Sequence, residues 1–157
     1  MRENWSRGGN VSKSVWSFEH TVECKAPREF AWGYWTNPVN WDDPPARFEF
    51  DGPFAAGTRV RTILPEQEFE SVVREVAPGS SALIEMDLGG ASVRFRWSFL
   101  ELAPERAKIR QEITLAGEGS AALVGPAKAM ELTVPDGMKR IAERIERAWK
   151  EAPSGSG

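Results

Sequence analysis

Between Pro27 and the Pro44-Pro45 pair the chain crowds Phe30, Trp32, Tyr34, Trp35 and Trp41 into one short stretch, FAWGYWTNPVNWDD, and this stretch limits the fold more than any other. A helix here sets Phe30 over Tyr34 and Ala31 over Trp35 at the four-residue spacing. Such a helix is bulky nearly all round, so it cannot rest on a surface with only one stripe hidden. Each buried indole removes on the order of 150–250 Å² from water, more than a short helical segment can cover by itself. A curved sheet or a bound molecule has to supply the remaining cover.

The chain has 157 residues, 41% hydrophobic and 27% charged, which fits one ordinary domain with a single core. Its net charge of -3 and the absence of any Lys/Arg run longer than two residues argue against nucleic acid as a partner. Cys24 is the single cysteine, so neither an intramolecular disulfide nor a Cys-rich zinc site is expected. The start, MRENWSRGGNVSKS, holds no apolar stretch suited to a signal peptide. No later run approaches the about 18 residues of a membrane span. A cytoplasmic protein without integral membrane association, monomer or homodimer, is the expectation.

Residues 1–13 are polar and Gly/Ser-rich and read as a flexible tail in which Trp5 stands alone, residues 14–152 as one domain, and 153–157 as a second flexible tail. From Val15 the pattern alternates, with Trp16, Phe18, His20, Val22 and Cys24 on one face and Ser17, Glu19, Thr21 and Glu23 on the other, the mark of a half-buried strand. Pro27 suits the first position of a helix, where a missing N–H costs nothing. Asn37 suits the N-cap of a second short helix carrying Val39 and Trp41. Pro44-Pro45 stops all helix.

Turn signals at Asp51-Gly52-Pro53, Ala56-Gly57, Pro65, Pro78-Gly79, Gly89-Gly90 and Ala103-Pro104 divide the next seventy residues. They predict strands near 46–51, 57–64, 67–76, 81–88, 91–102 and 106–116, joined by short connections into an antiparallel meander. One set of faces collects complementary charges, Arg59 and Arg61 opposite Glu66, Glu68 and Glu70, and Arg94, Arg96, Lys108, Arg110 and Glu112 farther on. These read as cross-strand pairs on a solvated sheet face. The opposite faces are apolar, with Phe48, Phe50, Val60, Phe69, Val93, Phe95, Trp97, Phe99, Ile109, Ile113 and Leu115, and Gln111 as the odd member.

From Gly119 to Glu151 the pattern is helical. Met138, Ile141, Ala142, Ile145, Ala148 and Trp149 form one stripe, and Glu143 with Arg147 and Glu146 with Lys150 form charge pairs beside it. Leu123, Ala127, Met130 and Val134 continue the spacing upstream, and Pro126 and Pro135 predict a kinked helix or two helices in series.

A sheet with one apolar face and a long helix with one apolar stripe are natural partners. In this order of elements the chain resembles the Bet v 1-like superfamily, also called START or SRPBCC, and within it the polyketide cyclase/dehydrase-like group. The residues that carry the likeness are VECKAPREFAWGYWTNPVNW at 22–41, Gly52 to Gly57 opening a strand, Val76-Ala-Pro-Gly before another, and Val134-Pro-Asp-Gly-Met in the last helix. The resemblance implies an α+β helix-grip fold: a seven-stranded curved antiparallel sheet around a long C-terminal helix, with two short helices between strands 1 and 2. It also implies a cavity that takes a hydrophobic small molecule, such as a lipid, polyketide or aromatic metabolite, for transport or sensing and without a cofactor. Two further readings follow from it, a cyclase/dehydratase-type enzyme and an Hsp90-activator-like interaction domain. The opposing reading is that the many rings simply fill the space.

The expected ligand-binding set is Phe18, His20, Trp35, Trp41, Phe50, Trp97, Phe99, Gln111, Met130, Met138 and Ile141. Machinery for catalysis is sparse: no phosphate loop, serine elbow or metal-ligand cluster is present in the sequence. His20 and Cys24 share a strand face but stand about 13 Å apart, too far for a dyad. His20 is the candidate acid/base, since an imidazole on the apolar face can exchange a proton near neutral pH. Its other reading is a core histidine. Gln111 is a neutral hydrogen-bond partner for a ligand or a locally satisfied group, and Asp42 and Asp43 stand at the expected mouth or shape a turn.

Overall fold

The computed structural model describes residues 14–152, and the two tails expected from the sequence, with Trp5, lie outside them. The order is β1 (Ser14–Cys24), α1 (Arg28–Trp35), a 3-10 turn (Pro38–Asn40), then β2 (Asp42–Asp43), β3 (Ala46–Phe50), β4 (Arg59–Ile63), β5 (Glu68–Ala77), β6 (Ser81–Asp87), β7 (Ser92–Ala103) and β8 (Arg106–Ala116). A second 3-10 turn (Ser120–Leu123), α2 (Val124–Lys128) and α3 (Met130–Glu151) complete it. No helix among the described residues is long and apolar enough to cross a membrane.

The strands make one antiparallel sheet of eight in the order β1-β8-β7-β6-β5-β4-β3-β2. The helix-grip architecture is as expected, with one strand more than the seven read from sequence. The addition is β2, whose Asp42 and Asp43 pair with Arg47 and Ala46 across the cis Pro44-Pro45 peptide. The helical turn already ends at Asn40, and the Asp-Asp backbone ahead of the two prolines is free to extend and pair. Register slips between Val73 and Glu75 and between Glu101 and Ala103 add residues to one strand of a pair, which bends and twists the sheet. The inner face runs in rows across this curve. One row is Phe50, Val60, Ser71, Met86, Val93 and Leu115, and the row of Ala82, Trp97, Gln111 and His20 lies nearer the other end.

On the outer face the charged residues pair as expected, though with partly different partners. Glu85 sits between Arg74 and Arg94, Glu19 meets Arg110, Glu75 meets Arg96, and Arg61 reaches both Glu49 and Glu68. Burial pushes the Glu85 carboxyl up, but the hydrogen bond from Arg74 and the charge of Arg94 more than offset it and hold it below the usual glutamate range.

The helical segments correct two boundaries. Pro27 is the N-cap of α1 and helix begins at Arg28, because the extended ψ of 146° at Pro27 is non-helical. The second short helix is a single 3-10 turn: Asn37 caps it by accepting from the Val39 N–H at 3.1 Å, and Trp41 stands just beyond its end. The C-terminal region is two helices in series, broken at Ala129, while Pro135 is accommodated inside α3. Met138, Ala142 and Ile145 of α3 are buried against the main core, which includes Cys24, Ala31, Trp35, Val73, Trp97, Phe99 and Ile109. A second cluster of Trp16, Val93, Ile113, Leu115 and Ala127 fills the end beneath α2 and the start of α3.

Candidate functional site

The rings of α1 do not fill the half-barrel. Trp35 is the hub, with ring centroids 4.9 Å from Phe54, 5.0 Å from Trp97, 5.4 Å from Phe99 and 5.6 Å from Trp41. Trp41 is held there by its indole N–H, which donates to the Trp35 carbonyl, and by edge contacts with Phe48 and Phe50. Trp35, Trp41 and Trp97 of this cluster form one wall of the space enclosed by the sheet. Beside it a cavity of about 250 Å³ remains.

Its walls come from four sources. The segment from α1 to β2 gives Tyr34, Trp35, Asn40, Trp41, Asp42 and Asp43; the strands β3 to β5 give Phe48, Val60, Thr62 and Ser71; β6 to β8 give Ile84, Met86, Phe95, Trp97 and Gln111. From α3 come Gly137, Arg140, Ile141 and Arg144, spaced so that they share one flank of the helix. The neighbouring flank, with Met138, Ala142 and Ile145, is packed away in the core. The apolar stripe seen in the sequence is therefore divided, one edge facing the cavity and the rest facing protein.

Charge is confined to the rim. Arg140 donates from Nε and Nη2 to the two carboxylate oxygens of Asp43 at 3.2 and 3.1 Å, and Arg144 donates to the Asp42 carbonyl. The Arg140 and Asp43 side chains are half-exposed. The hydrogen bond and charge of Asp43 raise the Arg140 pKa above its ordinary value. These contacts tie the β2 hairpin to α3 across the mouth. The neutral polar side chains of the wall are Tyr34, Asn40, Thr62, Ser71 and Gln111.

Of the expected ligand-binding residues, the structure brings Trp35, Trp41, Trp97, Gln111 and Ile141 together on the cavity wall. Phe50 backs Trp41, Phe99 backs Trp35, and Met138 lies in the core behind α3. Phe18 and His20 share the inner face but not the wall: their rings stack with centroids 6.5 Å apart along β1, and Trp16 continues the stack. Met130 joins them at that end, where the Trp16 indole N–H donates to Glu131 Oε2 at 2.9 Å. The reason is topological, since β1 is an edge strand with α3 packed along it. Arg140 and Arg144 escaped the sequence reading because guanidiniums at the edge of an apolar stripe look like solvated charge; Ile141 on the same flank was the available signal.

Cys24 belongs to the core and not to the cavity wall. It is fully buried, its thiol points at the Ala142 carbonyl at 3.7 Å, and burial, then the Glu146 charge, push its pKa up to about 12.

No protein-family model and no curated protein sequence matches the chain. Solved structures do. Norcoclaurine synthase from Thalictrum flavum, in complex with dopamine and hydroxybenzaldehyde, superposes with a TM-score of 0.67 at 15% identity, covering 86% of this chain and 87% of that one. The di-domain ARO/CYC BexL from the BE-7585A biosynthetic pathway gives 0.70 at 14% identity, over 85% of this chain and 47% of the di-domain protein. Ara h 8.0201 gives 0.61 at 15% identity, over 83% and 95%. Likeness at such low identity establishes the fold.

Proposed function

We propose that this chain of Bet v 1-like fold binds a hydrophobic small molecule, such as a lipid, polyketide or aromatic metabolite, in the cavity between the sheet and α3, as a carrier or sensor. The cavity itself carries the reading: about 250 Å³ walled by Tyr34, Trp35, Trp41, Phe48, Phe95 and Trp97. Aromatic walls with a few placed polar groups are what small-molecule sites are made of. In this reading Trp35, Trp41, Trp97, Gln111 and Ile141 touch the guest, while Phe50, Phe99 and Met138 hold those side chains from behind. Native mass spectrometry of the purified protein tests it. The expected result is an adduct with the mass of a small organic molecule, or uptake of naphthalene by the empty protein. Bare protein that takes up no apolar probe overturns it.

A cyclase/dehydratase-type enzyme is the second reading, and one contact favours it: His20 is the cross-strand partner of Gln111, which reaches the cavity wall. An imidazole in that position would exchange protons with a guest through a bridging water, which the Gln111 amide would help to orient. Turnover of a candidate substrate unchanged by His20→Ala overturns this role and leaves the binding proposal standing.

A further inference from the structure

Gln111 is 5% exposed, yet it lines the cavity and its side-chain amide has no hydrogen-bond partner among the described residues. It sits mid-strand between Trp97 on β7 and His20 on β1. Buried amides are nearly always satisfied, and an unsatisfied one costs the desolvation of both its acceptor oxygen and its donor nitrogen. Here the amide faces open space, so its partner comes from the contents of the cavity. A carboxamide offers one acceptor and one donor group side by side. Its best complement is a neutral group that both gives and takes a hydrogen bond, such as a phenolic or enolic hydroxyl.

The distribution of charge narrows the class further. Every charged side chain of the wall, Asp42, Asp43, Arg140 and Arg144, stands at the rim, and Arg140 and Asp43 already neutralise each other. An ionised group at the inner end of a guest would have no charged side chain of the wall beside it, and burying a charge so is strongly unfavourable. A volume of about 250 Å³ also favours a compact guest over a long chain.

We infer that the ligand is a compact, uncharged aromatic molecule carrying a hydroxyl or enolised carbonyl at its inner end, read by the Gln111 amide. This rests on the cavity-binding proposal above and adds the chemical class. Three probes of one ring system test it by ligand-observed NMR titration at pH 7: naphthalene, 2-naphthol and 2-naphthoate. The expected order is 2-naphthol tightest, by about three- to tenfold over naphthalene, the gain of one neutral hydrogen bond, with the anionic 2-naphthoate weakest. In Gln111→Met, close to Gln in shape, the ratio of 2-naphthol to naphthalene affinity falls to about one. Naphthalene binding as tightly as 2-naphthol, or a naphthol preference that survives Gln111→Met, overturns this inference and leaves the cavity proposal intact. A wild-type protein that binds none of the three overturns both. The wild-type series decides the matter even where the variant folds poorly.

Discussion

Cys24 shows how burial decides the chemistry of a single side chain. A thiol whose pKa stands near 12 is almost wholly protonated at neutral pH and is a poor nucleophile. The expected outcome is that a thiol reagent leaves native protein unmodified at pH 8 and labels it only after denaturation; rapid labelling of native protein contradicts the buried geometry. The pH dependence has a definite sign. The folded pKa is raised, so the contribution of the thiol to stability is complete below its ordinary 9.0 and is lost as pH rises toward about 12. Urea titrations of wild type and Cys24→Ala should therefore converge as pH climbs through that window. Burial of Cys24 was legible in the sequence from strand alternation, and so was the oddness of Gln111 in an apolar row. That His20 would miss the cavity was not legible, because alternation assigns a face but not which part of the face a helix covers.

At the scale of elements, the strand bounds read from turn signals agree with the observed ones to within about two residues, since Gly and Pro at the turns act locally. The β2 hairpin escaped that reading: two aspartates carry no strand propensity and pair only because Ala46 and Arg47 are brought opposite them. This short element carries the rim contacts to α3. The Arg140–Asp43 pair is bidentate, but its side chains are 50% and 45% exposed, so solvent screening leaves it worth roughly 0–1 kcal/mol in stability. Its expected effect is on traffic through the mouth. Arg140→Ala should leave the unfolding free energy within about 1 kcal/mol of wild type. Release of bound naphthalene, followed by stopped-flow tryptophan fluorescence, should quicken, and the wild type should quicken toward it as salt screens the pair. Release rates indifferent to both the substitution and salt would show that the hairpin does not control the opening.

For the molecule as a whole, the curved sheet and α3 enclose more volume than the aromatic residues fill. The sequence showed abundant rings and a helix to cover them, but whether those rings close a half-barrel depends on its curvature, which arises from register slips such as that between Val73 and Glu75. If the remaining 250 Å³ were dry, a cost on the order of 24 cal/mol per Å³ would amount to about 6 kcal/mol, a large part of an ordinary domain stability of about 5–15 kcal/mol. Water relieves this poorly where the wall offers it few polar partners. Ligand binding should therefore appear as a large thermal shift. At a hundred times Kd a guest adds about 2.7 kcal/mol, which raises Tm by roughly 5–10 °C for a chain of 157 residues. Ser71→Leu, which replaces a buried hydroxyl on the wall with apolar bulk between Val60 and Met86, should stabilise the empty protein and abolish the shift with naphthalene. A variant that still shows the full shift would place the guest somewhere other than this cavity, whereas loss of the shift together with a higher starting Tm is the signature of a space that the protein keeps open for a ligand.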